Sequence, residues 1–274
     1  MRQGMRWMRL FEGAIFMYLD KNGVEIKEGQ EILLSNSRKD CVHIVSFSGG
    51  KDSTAMLLKM IENNMQIDEI IFCDTTAEFP EMYKHIEKVE KYINRKITIL
   101  KKNFNFEYYM FEHVKVRGKN KGSKGYAWPD FKNRWCTYLF KRQLIRQYLK
   151  QYKNYDIIEY HGIALDEIER TKKNKDGRNI KHPLIDWQMA EKDCLEYCYN
   201  KGFDWNGLYE KFARVSCYLC PLQRLSELKI LYTEFPELWV YMKELDKRSI
   251  KQFDRKFRND YSIEELEVKF DKEL

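Results

Sequence analysis

No stretch of this 274-residue chain approaches the roughly 20 consecutive apolar residues that cross a bilayer, so no membrane-spanning helix is expected. The opening residues carry Arg2, Arg6 and Arg9 but no apolar segment leading to a small-residue cleavage site. No signal peptide is expected, and the chain reads as soluble and cytoplasmic. Charge of one sign is not in strong excess: 49 Lys and Arg stand against 42 Asp and Glu, a net of +7. That balance suits a phosphate-rich ligand or nucleic acid but decides no function by itself. There is no internal repeat. The histidines (His43, His85, His113, His161 and His182) fall in no metal-ligand spacing, and only His161 lies where a strand end would bring it near a ligand. What is present is 43% hydrophobic residues, enough to bury the core of one sizeable α/β domain with appendages.

Short β-branched runs alternate with helical segments. VHIVSF from Val42, EIIFC from Glu69, ITIL from Ile97 and DIIEY from Asp156 read as buried strands. Thr54–Ile61, Pro80–Ile93 and Tyr138–Leu149 read as the helices between them. The alternation predicts a doubly wound, mostly parallel sheet of the α/β class, with a ligand beyond the carboxyl ends of the strands. Before it, AIFMYL, Asp20-Lys21-Asn22-Gly23 and VEI predict a β-hairpin packed on the sheet edge. After Pro183 the alternation stops and helices dominate. The expected division is residues 1–40 as a hairpin extension, 41–187 as the nucleotide-binding domain and 188–274 as a helical part. Two basic, Gly-containing segments, Lys115–Lys124 and Thr171–Asn179, read as mobile surface loops.

The chemistry begins at Ser46-Phe47-Ser48-Gly49-Gly50-Lys51-Asp52-Ser53, between the first core strand and its helix. A loop there turns backbone N–H groups and a helix N-terminus toward an anion. Gly49 and Gly50 are free to take positive φ and admit a phosphate closely, Lys51 brings charge, and Ser48 and Ser53 bring hydroxyls. Asp52 beside a phosphate calls for a cation such as Mg²⁺. The spacing is not that of a Walker A loop, which disfavours γ-phosphate transfer.

Strand followed by SGGKDS resembles the PP-loop of the adenine nucleotide α-hydrolase superfamily. Cys73-Asp74-Thr75-Thr76-Ala77-Glu78-Phe79-Pro80-Glu81 resembles the second strand's end in the phosphoadenosine phosphosulfate (PAPS) reductase family. There Asp-Thr-Gly precedes Phe-Pro-Glu-Thr; here Thr76 and Met82 replace the Gly and the last Thr. Gly162-Ile163-Ala164-Leu165-Asp166-Glu167 with Arg170 resembles a further family segment, with Ala164 in place of its usual Arg; Pro183–Trp187 matches another. The resemblance implies a site for ATP or a PAPS-like nucleotide built from Ser46, Ser48, Gly49, Gly50, Lys51, Asp52, Ser53, Asp74, Gly162 and Arg170. It implies catalytic roles for Lys51, Asp52 and Asp74, with Mg²⁺ between phosphates and Asp52 or Asp74.

Of seven cysteines, Cys41 and Cys73 lie in or beside apolar runs and read as small hydrophobes. Cys217-Tyr218-Leu219-Cys220 places two thiolates within reach of one metal or cluster, and Cys136 supplies a third. Cys194 and Cys198, at i and i+4, are candidates for a fourth ligand, a spacing that equally fits two core cysteines. Arg134-Trp135-Cys136-Thr137 with the later pair resembles the ATP-pyrophosphatase subunit of DNA phosphorothioation systems, which implies a 4Fe-4S cluster, with zinc as the alternative. The expected activity is an adenylating ATP pyrophosphatase that prepares an acceptor for sulfur transfer, served by a sulfur-donor protein such as a cysteine desulfurase. PAPS or adenylyl-sulfate reduction is the alternative, opposed by the lack of a cysteine after Cys220 and of a double cysteine at Cys136. A catalytically silent nucleotide-binding regulator is another, to which Ala164 points. Lys115, Arg117, Lys119, Lys121 and Lys124, followed by Tyr126 and Trp128, read equally as a solvated lid and as a contact for tRNA or DNA. The hairpin is a candidate for homodimer contact.

The cysteine reading predicts that anaerobically purified protein carries iron with matching sulfide and a broad visible absorption band, all lost in Cys136→Ala. Stoichiometric zinc, or no metal, would remove the cluster from the account.

Overall fold

The computed structural model describes residues 17–19, 25–27, 41–173 and 177–273. Seven strands form one sheet: β1 (Met17–Leu19), β2 (Glu25–Lys27), β3 (Cys41–Ser46), β4 (Glu69–Asp74), β5 (Thr98–Lys101), β6 (Asp156–His161) and β7 (Asn179–Lys181), in the order β1-β2-β5-β4-β3-β6-β7. From β5 to β7 the pairing is parallel. The expected hairpin is there: Tyr18 stands opposite Ile26, and β2 joins the sheet edge with Glu25 opposite Lys101, both antiparallel. Its turn, Asp20–Gly23, lies outside the described residues.

Topology places the site. The chain leaves β3, builds β4 and β5 on one side, then crosses back to lay β6 on the other. The order therefore switches at the carboxyl end of β3, where neighbouring crossovers diverge and leave a crevice. Residues 48–53 sit there.

Side chains alternate across a strand, so each face has its own cover. On one face Val45, Ile70 and Phe72 pack beneath the helices Lys51–Glu62 and Pro80–Ile93 in a core that continues through Cys198, Trp205, Leu231, Trp239 and Phe270. The other face is covered thinly. Val42, Ile44, Ile71 and Leu100 form a smaller cluster with Leu144 and Tyr152 from the helical run Trp135–Tyr152, and Cys73, Ile145, Tyr148, Leu149 and Ile157 pack against it. Ser46, Cys73 and His161 stand on this face at the carboxyl ends of β3, β4 and β6, each half-buried.

Three local readings need correction. Of the segment expected to be a loop over Thr171–Asn179, the first residues end a 3₁₀ helix, Leu165–Lys173, and Asn179 opens β7. Ion pairs at i, i+3, Glu167–Arg170 and Glu169–Lys172, suit the three-residue turn of that helix. β7 is too short to show a period; its pairing with β6 defines it. The Lys115–Lys124 segment is exposed as expected but is closed into a ribbon by Lys115 N–H to the Ser123 carbonyl, 2.9 Å, and Gly122 N–H to that of Lys115, 2.8 Å. The helix expected over Tyr138–Leu149 starts earlier, at Trp135, and passes through a wider π turn at Tyr138–Arg142. Such turns are frequent at functional sites.

One buried carboxylate ties two helices of the chain's end to the loop that carries Trp128. Asp246 accepts the Trp128 indole N–H at 3.0 Å and the Ile263 backbone N–H at 2.7 Å. Asp246→Ala leaves both donors buried without partners, at about 1–3 kcal/mol each. We expect a fall in melting temperature of roughly 5–15 °C; an unchanged transition would show that this carboxylate is not structurally important.

Candidate active site

The loop after β3 is wound by its own serines. Ser53 Oγ donates to the Gly50 carbonyl at 2.9 Å and accepts the Ser48 N–H at 3.2 Å, with Ser48 Oγ 3.0 Å away. Gly49 takes φ +78°, the left-handed region that favours glycine. Gly50, also expected to be free for positive φ, instead lies extended at φ −74°, ψ 164° as the residue before the helix Lys51–Glu62. Its constraint is space: a Cβ there would stand 3.2 Å from the Tyr209 hydroxyl. Gly162, one residue past β6, is the third glycine of the site. A Cβ on it would lie 2.8 Å from Ser53 N and Cα, so only hydrogen lets the two backbones meet.

The loop is braced from behind by the helical part of the chain. The Trp205 indole donates to the Gly49 carbonyl at 2.8 Å, and the Lys51 N–H donates to the Tyr209 hydroxyl at 2.9 Å. Trp205 stacks on His85, whose Nε2 lies 3.0 Å from Thr54 Oγ1.

Lys51 is almost wholly buried. Its ammonium reaches Asp52 at 3.0 Å and Glu191 at 2.5 Å. Burial works against its charge, but Glu191 and Asp52 more than offset this and hold its pKa above the ordinary lysine value. The Asp52 carboxyl is pushed up by burial despite Lys51, with Glu191 and Glu167 adding repulsion. Glu191 is in turn set by its backbone N–H, which donates to Asp166 at 3.1 Å. The GIALDE segment thus reaches the loop twice, through Gly162 and through Asp166.

Other expected residues lie elsewhere. Asp74 is buried, but its partners are the Thr76 N–H at 2.7 Å, the Tyr83 hydroxyl at 2.8 Å and Lys101 at 3.5 Å, on the sheet face under the helix Pro80–Ile93. Arg170 pairs with Glu167 at the surface. Ala164 is fully buried, so its position offers no phosphate contact. Ser46 Oγ, by contrast, is buried on the open face with no hydrogen-bond partner among the described residues.

Beyond the end of β4 lies a second group. The Cys217 thiol donates to Cys220, and Cys136 lies within electrostatic reach of Cys220. The Tyr218 N–H donates to the Ala77 carbonyl at 3.0 Å and pins the cysteine turn to the exit of β4. The bond from Cys217 lowers the Cys220 pKa to about 7, aided by Arg134 and Arg214. Burial raises that of Cys136. Glu78, held by Thr75 at 2.7 Å, faces the Lys141 ammonium, which also lies near Cys217, Cys73 and Cys136. These groups have protein on most sides yet keep solvent contact, as on a cleft floor. Among the described residues no three Cys, His, Asp or Glu side chains are arranged to hold a metal ion. The donor chemistry, three thiols gathered beside the Lys141 ammonium and the Arg134 guanidinium, fits a thiolate-bound group. Cys194 and Cys198 do not join them. Both are fully buried, and Cys198 Sγ bonds to the Lys51 carbonyl at 3.5 Å, on the far side of the loop.

The phosphoadenosine phosphosulfate reductase domain model matches residues 42–223, two thirds of the chain. The chain belongs to that family. Two uncharacterised proteins of Methanocaldococcus jannaschii are 28% and 31% identical to it, over 72% and 71% of its length. The chain spans only 39% and 46% of those relatives. A 37.8 kDa protein of Escherichia phage 186 is 25% identical over 72% of both chains. Among solved structures, PAPS reductase from Candida auris is 14% identical, with a TM-score of 0.44 over 66% of this chain and 83% of its own. The U34-tRNA thiolase of Methanococcus maripaludis, solved with its [4Fe-4S] cluster, is 13% identical, with a TM-score of 0.39 over 89% and 74%. No helix among the described residues is long and apolar enough to cross a membrane.

For this member of the family, Glu191, Tyr209, Trp205, Glu78 and Lys141 are the site residues that sequence reasoning missed. Each is an ordinary helix-start acid, turn aromatic or helix cation until the fold brings it in. His85 gives the bracing a test. Burial lowers its pKa from 6.5 to about 3, so the unfolded chain binds the extra proton between those values. Stability is complete above pH 6.5 and falls as pH drops below it, by up to about 1.4 kcal/mol per unit from this group. Denaturant unfolding of His85→Gln should show a flatter acid limb than the parent; parallel limbs would refute the assignment.

Proposed function

We propose that the chain binds ATP at Ser48–Ser53, cleaves it between the α- and β-phosphates, and thereby activates an acceptor for sulfur transfer. The observation that carries this reading is a phosphate-type loop at the end of β3 and a three-cysteine group pinned to the exit of the neighbouring strand β4 by the Tyr218 N–H on the Ala77 carbonyl. In it, an acceptor oxygen attacks the α-phosphorus, the α–β bridge breaks and pyrophosphate leaves. Persulfide sulfur from a donor protein such as a cysteine desulfurase, reduced to hydrosulfide by two thiols that become a disulfide, then attacks the activated carbon, and AMP departs with the oxygen.

The loop amides and Lys51 stabilise charge developing on the departing pyrophosphate. For this the Lys51 ammonium exchanges Glu191 for phosphate oxygen, while Asp52 remains to balance it or to hold Mg²⁺. Ser46 offers its unpartnered hydroxyl from the strand end. Cys136, Cys217 and Cys220 would hold a 4Fe-4S cluster, which supplies an open iron for sulfide; zinc would use the same thiols structurally. Lys141 and Glu78 set the charge of that cleft.

α-Labelled ATP incubated with the anaerobic protein, Mg²⁺ and candidate acceptors is expected to give AMP and pyrophosphate in equal amounts. Lys51→Ala should slow this by about 10²–10³-fold, as expected for loss of one preorganised donor. ADP with phosphate, or no AMP with any acceptor, would overturn the reading. Sulfite release from PAPS would point to reduction instead.

A further inference from the structure

Between residues 113 and 141 the chain carries eight Lys and Arg against one carboxylate, Asp130. That excess equals the net charge of the whole protein, so the remaining residues balance and the positive field is concentrated on this segment. Arg117, Lys119 and Lys121 are exposed and enter no ion pair among the described residues. Arg134 is also exposed, and its guanidinium has no ion-pair partner among them.

The same segment presents aromatic faces. A cavity of about 320 Å³ is lined by Tyr126, Asn133, Arg134, Trp135, Tyr138 and Leu139. Its rings are fixed: Tyr126 stacks between Trp135, centroids 5.3 Å apart, and His113, at 5.5 Å. Trp135 is anchored by its indole N–H on the Ala127 carbonyl at 3.0 Å. Tyr138, on its lining, is 50% exposed, and Phe131, two residues before Asn133 in the chain, is 65% exposed. Lys115 lies 5.2 Å over Tyr126 and Lys132 lies 5.4 Å over Phe131. Exposed aromatic rings beside unpaired cations are an unfavourable way to finish a surface, but they match a ligand with flat bases on a charged backbone.

We infer that this cavity receives one unpaired base of a single-stranded nucleic acid, whose phosphates run along the Lys115–Lys124 ribbon. An intact duplex keeps its bases stacked and offers none to the rings. The Asn133 amide and the Arg134 guanidinium are the groups able to read a base edge. The pocket lies one residue from Cys136, since Trp135 lines it, and Arg134 also acts on Cys220. A base held there stands beside the thiols. That this base is the acceptor rests on the function proposed above; the binding does not.

The test is fluorescence anisotropy with a labelled 15-nucleotide single strand, its duplex, and unlabelled polyphosphate as a competitor without bases. We expect the single strand to bind well above the duplex and to resist polyphosphate. Tyr138→Ala should weaken binding about 5–100-fold, the loss of one base stack. Replacing Arg117, Lys119 and Lys121 with Gln should reduce the salt slope by about two. Equal binding of duplex and single strand, full displacement by polyphosphate, or an unaffected Tyr138→Ala would overturn the pocket. So would no binding at low salt. Measured beside ATP cleavage, the outcomes separate: AMP formation without strand binding sinks this inference alone, and strand binding without AMP sinks only the proposed chemistry.

Discussion

The site depends on one close approach. The backbone at Gly162 lies so near Ser53 and Asp52 that any side chain would collide with main-chain atoms, which cannot swing aside. That contact seats the first turn of the helix Lys51–Glu62 between the ends of β3 and β6. From there the other restraints follow in order. Gly49 must turn with positive φ to enter the helix, its carbonyl is then presented to Trp205, and the Lys51 N–H is presented to Tyr209. A loop held this way gives its amides a direction before any anion arrives, which is the condition for electrostatic stabilisation without reorganisation.

Charge inside the loop is balanced rather than positive. A lone buried ammonium would be costly, and Lys51 keeps its proton because Asp52 and Glu191 lie against it. Glu191 thereby occupies one side of the Lys51 ammonium, so the lysine is charged and already paired. The helix Glu191–Asn200 therefore belongs to the site even though it begins 140 residues after Lys51.

The two faces of the sheet divide the labour. The face under Lys51–Glu62 and Pro80–Ile93 is filled continuously with apolar side chains to the end of the chain. The opposite face carries a smaller apolar cluster of Val42, Ile44, Ile71, Leu100, Leu144 and Tyr152, and Ser46, Cys73 and His161 stand half-buried at the carboxyl ends of its strands. Cys136 and Cys217 lie near Cys73 through their shared neighbour Lys141, and the aromatic pocket adjoins Cys136 through Trp135.

The order of strands and helices was legible in the sequence because it rests on local periodicity. β-Branched runs of four to six residues, a helix beginning at Pro80 and an Asn-Gly turn each carry their own signal. The phosphate loop and the cysteine pair were legible too, since their chemistry depends on spacing within a few residues. Periodicity had nothing to say about β7, whose three residues become a strand only by pairing with β6. Nor could it place Asp74 on the face away from Ser46, or Cys194 and Cys198 against the Lys51 carbonyl. The sequence by itself determined a parallel α/β sheet with a glycine-bearing turn between its first core strand and helix. Only the tertiary structure decided that Glu191 neutralises Lys51, that Tyr209 and Trp205 brace the loop, and that the chain's excess charge flanks an aromatic pocket. These are contacts between residues far apart in the chain, and their energies exist only once the sheet has brought them together.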